Sequence, residues 1–351
     1  MNDLIDNLTL AGKQPIPVSF PCGTRLIILP GNGRLLGLYP ADDDANFLWT
    51  HPALATAATS ASLFAAAGWP NPGGDRTWLA PEIDLFISDL ARPGETYAVP
   101  PALDPGNWVL TTATAGEVSL SNATRLRLHR SGCEVGLRLG RSFRPAANPL
   151  LGTAADAAAL RYAGYTLITT LEVEPQADGA ARLGIWNLLQ LPQPGEMLIP
   201  TRGAGGPQTA FGTPSPADLT VEPGLVRWHM AGSGEDVKIA LKAQLLTGRA
   251  GHLRQTGEPG TWDLVVRQFA VDPAGDYVDA LWDHPQDSGW VFQACCVSAG
   301  KEHFNELEYH APAARASAGS NLSRDESQVW AFRGPGAAVA GAAQHLLGVK
   351  L

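Results

Sequence analysis

The sequence predicts an all-β protein built from stacked antiparallel sheets, and three observations carry that expectation. Short β-rich runs recur along the chain: RLIILP at 25–30, EVSLS at 117–121, TRLRLHR at 124–130, EVGLRLGRSF at 134–143, YTLITTLEVE at 165–174, LVRWHM at 225–230, DVKIALKAQLL at 236–246, TWDLVVRQFAV at 261–271 and GWVFQACCV at 289–297. Gly, Pro, Asp or Asn bound these runs, and 38 Gly with 28 Pro in 351 residues supply the turns that many short strands need. Within the runs the polarity alternates. Leu126 and Leu128 go to one side of 124–130, and Arg125, Arg127 and His129 go to the other.

Helical segments are few. The Ala-rich, weakly amphipathic stretch 53–67 is one candidate, and residues 153–162 and the C-terminal 337–347 are other short ones. No repeat of 20–50 residues and no low-complexity linker divides the chain, so residues 1–351 read as one large domain. Loops at 68–76 and 203–216, rich in Gly and Pro, look like excursions from the scaffold, where β proteins often place their sites.

Composition excludes several partners. The net charge is −9 and no run of Lys or Arg occurs, which argues against nucleic acid and against an anionic membrane. The first twenty residues lack a basic segment followed by an apolar one, and no stretch is apolar enough to span a bilayer. A cytoplasmic location is expected. Four cysteines without a CxxC pair read as buried thiols. GxSxG, HExxH, P-loop and dinucleotide fingerprints are all missing, so no cofactor is expected.

Chemistry concentrates in a few segments. In FNELEYHAP (304–312), strand alternation puts Phe304, Glu306, Glu308 and His310 on one side, spaced roughly 6–7 Å apart, with Asn305, Leu307 and Tyr309 on the other. Three ionisable groups in a row mark either a solvated face or a sheet face that holds a polar substrate. On a straight strand Glu306 and His310 are too far apart to ligate one ion, so no metal is expected. GWPNPGGDRTWLAPE (68–82) carries Asp75, Arg76, Trp78 and Glu82 behind a Gly-Gly pair. Arg76 suits a carboxylate or sugar hydroxyls, and Trp78 suits the apolar C–H face of a sugar ring. NFLWTHP (46–52) contributes His51. In GIWNLLQ (184–190), Trp186 and Gln190 share a face. Lys238 points away from the apolar side of 237–241, and Arg249 closes the segment.

These pieces, NFLWTHP, GGDRTWLAPE, GIWNLLQLPQPGEMLIPT, VKIALKAQLLTGR and NELEYHAP, resemble a bacterial group within the galactose mutarotase-like (aldose 1-epimerase-like) superfamily, across roughly residues 25–335. The resemblance implies a β-supersandwich of large twisted antiparallel sheets with few short helices and a concave carbohydrate-binding face. It also implies a Glu general base on a late strand, at Glu308, with Glu306 as the alternative. Members with mutarotase activity use a His acid in a segment that here reads GIWNLLQ and has none. The acid would then come from His51, His310 or Lys238. Asp75, Arg76, Trp78, Glu82, Trp186, Gln190, Lys238 and Arg249 would hold a mono- or oligosaccharide. Glycoside hydrolysis, uronate elimination and sugar binding without turnover are the alternatives on the same scaffold.

Overall fold

The computed structural model describes residues 1–153, 157–176, 181–203, 205–317 and 319–350. The alternating runs assemble into two ten-stranded sheets in which neighbours run antiparallel. The first sheet opens with Ile16–Ser19, Arg25–Leu29 and Arg34–Tyr39. It continues through five strands that carry the site: β1 (Asp75–Ala80), β2 (Arg182–Pro192), β3 (Val237–Leu241), β4 (Phe292–Val297) and β5 (Phe304–His310). Their spatial order is β1-β2-β5-β4-β3, with Gln208–Phe211 beyond β3 at the edge. The second sheet runs from Leu219–Glu222 to Val109–Ala113, with the long strands Leu322–Pro335, Arg161–Val173 and Glu134–Pro145 at or near its middle. This two-sheet architecture is the one the sequence predicts.

Alternation decides what each face does. Leu189, Leu307 and Ile239 point from the first sheet into a shared core with Leu167, Leu171 and Val265 of the second. Such interdigitated inner faces are what holds a sandwich together. The outer face of the second sheet is covered by the C-terminal helix Gly336–Leu347, whose Val339, Ala342 and Leu346 pack on Leu264, Val266 and Phe332.

The helices match expectation in part. The Ala-rich stretch forms a 3₁₀ turn, Pro52–Ala55, then a helix, Ala57–Ala65, whose first turn is capped by the Thr56 hydroxyl accepting from Thr59 N at 3.2 Å. An N-terminal helix, Asn2–Leu10, was not evident from the sequence; its Leu8 closes a small cluster with Leu29, Leu36 and Leu54. The helix expected over 153–162 lies partly outside the described residues. Of the rest, 157–159 form a single 3₁₀ turn and Arg161 opens a strand. Among the cysteines, Cys295 and Cys296 are buried as expected, whereas Cys22 is exposed and Cys133 half-buried. No described helix is long and apolar enough to cross a membrane.

The Gly73-Gly74 pair sets the start of β1. Both have positive φ, 99° and 82°. A Cβ on Gly74 would lie 2.1 Å from the Leu35 carbonyl oxygen, and one on Gly73 2.4 Å from that of Trp49. Only glycine permits this approach. It lets Gly74 N donate to Trp49 O at 2.9 Å while Gly74 O accepts from Gln190 N at 3.0 Å, which pins the register of β1 against β2.

Candidate active site

Cross-strand register builds the site. Directly opposed residues of antiparallel strands share a face. Trp78, Trp186 and His310 form one row across β1, β2 and β5; Arg76, Leu188, Glu308 and Gln293 form the next; Gln190, Glu306, Cys295 and Lys238 form the third. All lie on the face of the first sheet turned away from the second. This face floors a cavity of about 1030 Å³, at the upper end of small-molecule sites. Its walls come from the connecting segments that carry Trp69, Asn71, Tyr97 and Trp282, from Glu82 at the start of a short helical turn and from Phe211 at the end of the edge strand. The aromatic rings meet largely edge to face, Trp69 on Trp78 at 5.2 Å and Trp78 on Trp186 at 5.4 Å between centroids.

Strand β5 is buried along its whole length, so its charged row is not a solvated face. Glu306 lines the cavity. Its Oε1 accepts from Arg76 Nη2 at 2.8 Å and from Gln190 Nε2 at 3.0 Å. Arg76 lies over the Trp78 ring at 4.2 Å, and its Nε and Nη1 make no hydrogen bond among the described residues. Glu308 is 0% exposed and does not itself line the cavity, whereas Lys238 and Trp186, which bond it, and Leu188 opposite it do. Its Oε2 accepts from Trp186 Nε1 at 2.8 Å and from Lys238 Nζ at 3.0 Å, while Oε1 makes no hydrogen bond among the described residues.

Electrostatics separate these groups. Burial raises the Glu308 carboxyl to about 7, helped by the nearby Glu306 charge and opposed by Lys238. For Lys238 burial works against the charge, but the Glu308, Glu82 and Glu306 carboxylates outweigh it and hold the ammonium above its ordinary value. Burial raises Glu82 too, with Asp279 adding to it and Lys238 opposing. One ammonium therefore serves several buried carboxyls. Cys295, Glu306 and Glu308 bring ligand atoms within 4.8 Å of one another. The Lys238 ammonium already supplies the positive charge there, and burial pushes the Cys295 thiol well above its ordinary range, which disfavours the thiolate a metal would need.

The structure brings Arg76, Trp78, Glu82, Trp186, Lys238 and Glu306 together as cavity lining, with Glu308 and Gln190 bonded to them. Four expected residues lie elsewhere. Asp75 follows the alternation to the opposite side of β1. There Tyr165 donates to it at 2.6 Å, Arg267 pairs with it at 3.1 Å, and Arg141 binds its other oxygen. Arg249 belongs to the second sheet, where it donates to Gln268 Oε1 at 2.9 Å and to Leu346 O at 2.8 Å. His51 caps the turn at 52–55 through Nδ1, which accepts from Ala53 N. Its Nε2 lies 3.4 Å from Glu302, and this carboxylate, not the imidazole, lines the cavity. His310 is stacked behind Trp186 at 5.3 Å, its Nε2 3.3 Å from Gln293 Oε1, and burial holds it well below the usual imidazole range. It is neutral and shielded from the cavity.

Tyr97, Phe211, Trp282 and Glu302 were not singled out from the sequence. They sit in irregular segments or at an edge strand, where no period marks the face of a side chain. The aromatic residues in RPGETYAVPP and DALWDHPQD, uncommon in polar loops, were the available signal.

No family model matches the chain and no curated protein matches it. Solved structures similar to it include a candidate aldose 1-epimerase from Escherichia coli K12, at 13% identity and a TM-score of 0.47, covering 91% of this chain and 99% of that one. A second candidate aldose 1-epimerase, from Klebsiella pneumoniae, has 9% identity and a TM-score of 0.45, covering 94% and 82%. A GH36 alpha-galactosidase from Geobacillus stearothermophilus has 12% identity and a TM-score of 0.40, covering 94% of this chain and 42% of the other. At TM-scores below 0.5 these likenesses carry no argument about chemistry.

Proposed function

We propose that the protein is a cytoplasmic carbohydrate-active enzyme of the aldose 1-epimerase type, a single domain of residues 1–351 acting on a neutral sugar in the aromatic cavity. The observation that carries this reading is Glu308: a buried carboxylate raised to about 7, with one oxygen uncommitted, bonded by the cavity-lining Trp186 and Lys238. A base poised near neutral pH is what abstraction of an anomeric hydroxyl proton needs. In the unliganded geometry Lys238 and Trp186 bond it and it does not itself line the cavity. The flexible lysine stem moves aside when a sugar is seated, and alignment of this kind commonly tightens only with substrate bound. Trp78 and Trp186 stack on the ring, and Arg76, Glu306 and Gln190 bond its hydroxyls.

Charge favours a neutral substrate over an acidic one. Glu82, Asp104, Asp236, Glu302 and Glu306 line the cavity against two cations, Arg76 and Lys238. Both cations are already matched, Arg76 by Glu306 and Lys238 by Glu308. Neither is left over for a uronate, which disfavours elimination. Glu306 and Glu308 also project from one strand to one side, a poor way to flank a glycosidic bond.

One-dimensional proton NMR of the protein with neutral aldoses, uronic acids and oligosaccharides tests the proposal. Accelerated exchange between the anomers of a neutral aldose is expected. New reducing-end signals or olefinic signals would replace epimerisation with hydrolysis or elimination.

A further inference from the structure

We propose that Glu82 is the proton donor of the cavity, the acid that works opposite the Glu308 base; the assignment rests on the epimerase-type reading above. The candidates drawn from sequence do not supply this group. His310 is shielded behind Trp186 and His51 behind Glu302. Lys238 is held charged between carboxylates.

Glu82 has the required placement. It begins a short helical turn immediately after β1, anchored by its backbone N–H, which donates to Asp279 Oδ1 at 2.8 Å. Its side chain lines the cavity and is bonded by two neutral donors that line it as well: Tyr97 OH to Oε1 at 2.9 Å and Trp282 Nε1 to Oε2 at 3.1 Å. Among the described residues no guanidinium or ammonium bonds it, in contrast to Glu306, which Arg76 pairs with directly. Three buried carboxyls, Glu82, Asp279 and Glu308, draw on the Lys238 ammonium, and burial holds the neighbouring His310 well below the usual imidazole range. They cannot all be ionised together in a desolvated site. Glu82 offers a proton a defined place. The indole N–H can only donate, so it fixes Oε2 as an acceptor; Oε1 then carries the proton, beside a Tyr97 hydroxyl able to donate or accept.

The reaction balances without a co-reactant. Glu308 takes the proton of the C1 hydroxyl, the freed pair on that oxygen forms the carbonyl, and the bond from C1 to the ring oxygen breaks. The ring oxygen receives the Glu82 proton, directly or through Tyr97. Closure on the opposite carbonyl face reverses each transfer and restores both side chains. Two carboxyls of the same intrinsic acidity thus take opposite roles because their surroundings differ.

The test is the pH profile of anomer exchange for wild type, Glu82→Gln, Glu82→Asp and Tyr97→Phe, with infrared spectra of each at neutral pH. Glu82→Gln is expected to lower the rate roughly 10²- to 10⁴-fold and to abolish the alkaline limb. Glu82→Asp should retain part of the rate with that limb displaced, and Tyr97→Phe should give a smaller loss. The protonated-carboxyl absorption should lose the component due to Glu82 in Glu82→Gln, leaving that of Glu308. A Glu82→Gln variant that keeps the rate and the alkaline limb overturns the assignment, and so does an unchanged infrared absorption. If wild type turns over no aldose, the epimerase reading fails and takes the donor role with it; a lost infrared component would then still place a proton on Glu82, which keeps the two failures apart.

Discussion

Strand β1 carries two buried ion clusters back to back, and their contrast separates stability from chemistry. Towards the second sheet, Asp75 is bound by Arg141, Arg267 and the Tyr165 hydroxyl, so both carboxylate oxygens are committed and positive charge is in excess. On the other side, one residue along, Arg76 binds Glu306, and Lys238 is shared by Glu308 and its acidic neighbours. Here negative groups are in excess, and Glu308 Oε1 and Gln190 Oε1 lack hydrogen-bond partners among the described residues. A committed carboxylate between two guanidinium groups is a fastening. A carboxylate with a free oxygen and too little positive charge holds a proton near neutrality.

The sharpest way to break this contrast is Asp75→Asn. It leaves two buried guanidinium groups short of a counter-ion, and removing one partner of such a cluster costs on the order of 3–5 kcal/mol. A denaturation midpoint should fall steeply. An unchanged midpoint would mean the inner cluster is not the fastening described here. Glu308→Gln should do the reverse, with a modest effect on stability and a rate of anomer exchange lowered roughly 10²- to 10⁴-fold.

The pH dependence of stability sharpens the comparison. Glu308 binds its proton more tightly folded than unfolded, so its contribution is fully present below the ordinary glutamate value of 4.5 and is lost as pH rises through about 7. The stability difference between wild type and Glu308→Gln should therefore shift against wild type across that window and level off above it. A flat difference would contradict the raised value. A smaller effect is expected from Trp186→Phe. It keeps an aromatic ring but removes the Nε1 donor to Glu308, so the acidic limb of the rate profile should move upward by a fraction of a pH unit. Smallest of all is Arg249→Ala. Bonded to Gln268 and Leu346 on the second sheet, Arg249 should leave anomer exchange unchanged.

Much of this architecture is legible in the residues, because alternation is a local rule. Glu306, Glu308 and His310 share a face in the structure as they do in the sequence, and so do Trp186, Leu188 and Gln190. The same rule puts Asp75 and Arg76 on opposite faces, although their adjacency invites pairing them as one site. What alternation cannot give is depth. Nothing local says that Trp186 screens His310, or that Lys238 bonds Glu308; that follows from packing across four strands. Loop residues are the hardest case. Tyr97 and Trp282 reach Glu82 from segments far apart in the chain, with no period to reveal where they point.

The measurement that bears most directly on the account is the anomer exchange rate of a neutral aldose, read by magnetisation transfer at neutral pH, for wild type beside Glu308→Gln. The account predicts exchange well above the uncatalysed rate in wild type and close to it in the variant, with both proteins folded. Equal rates in the two proteins would contradict it.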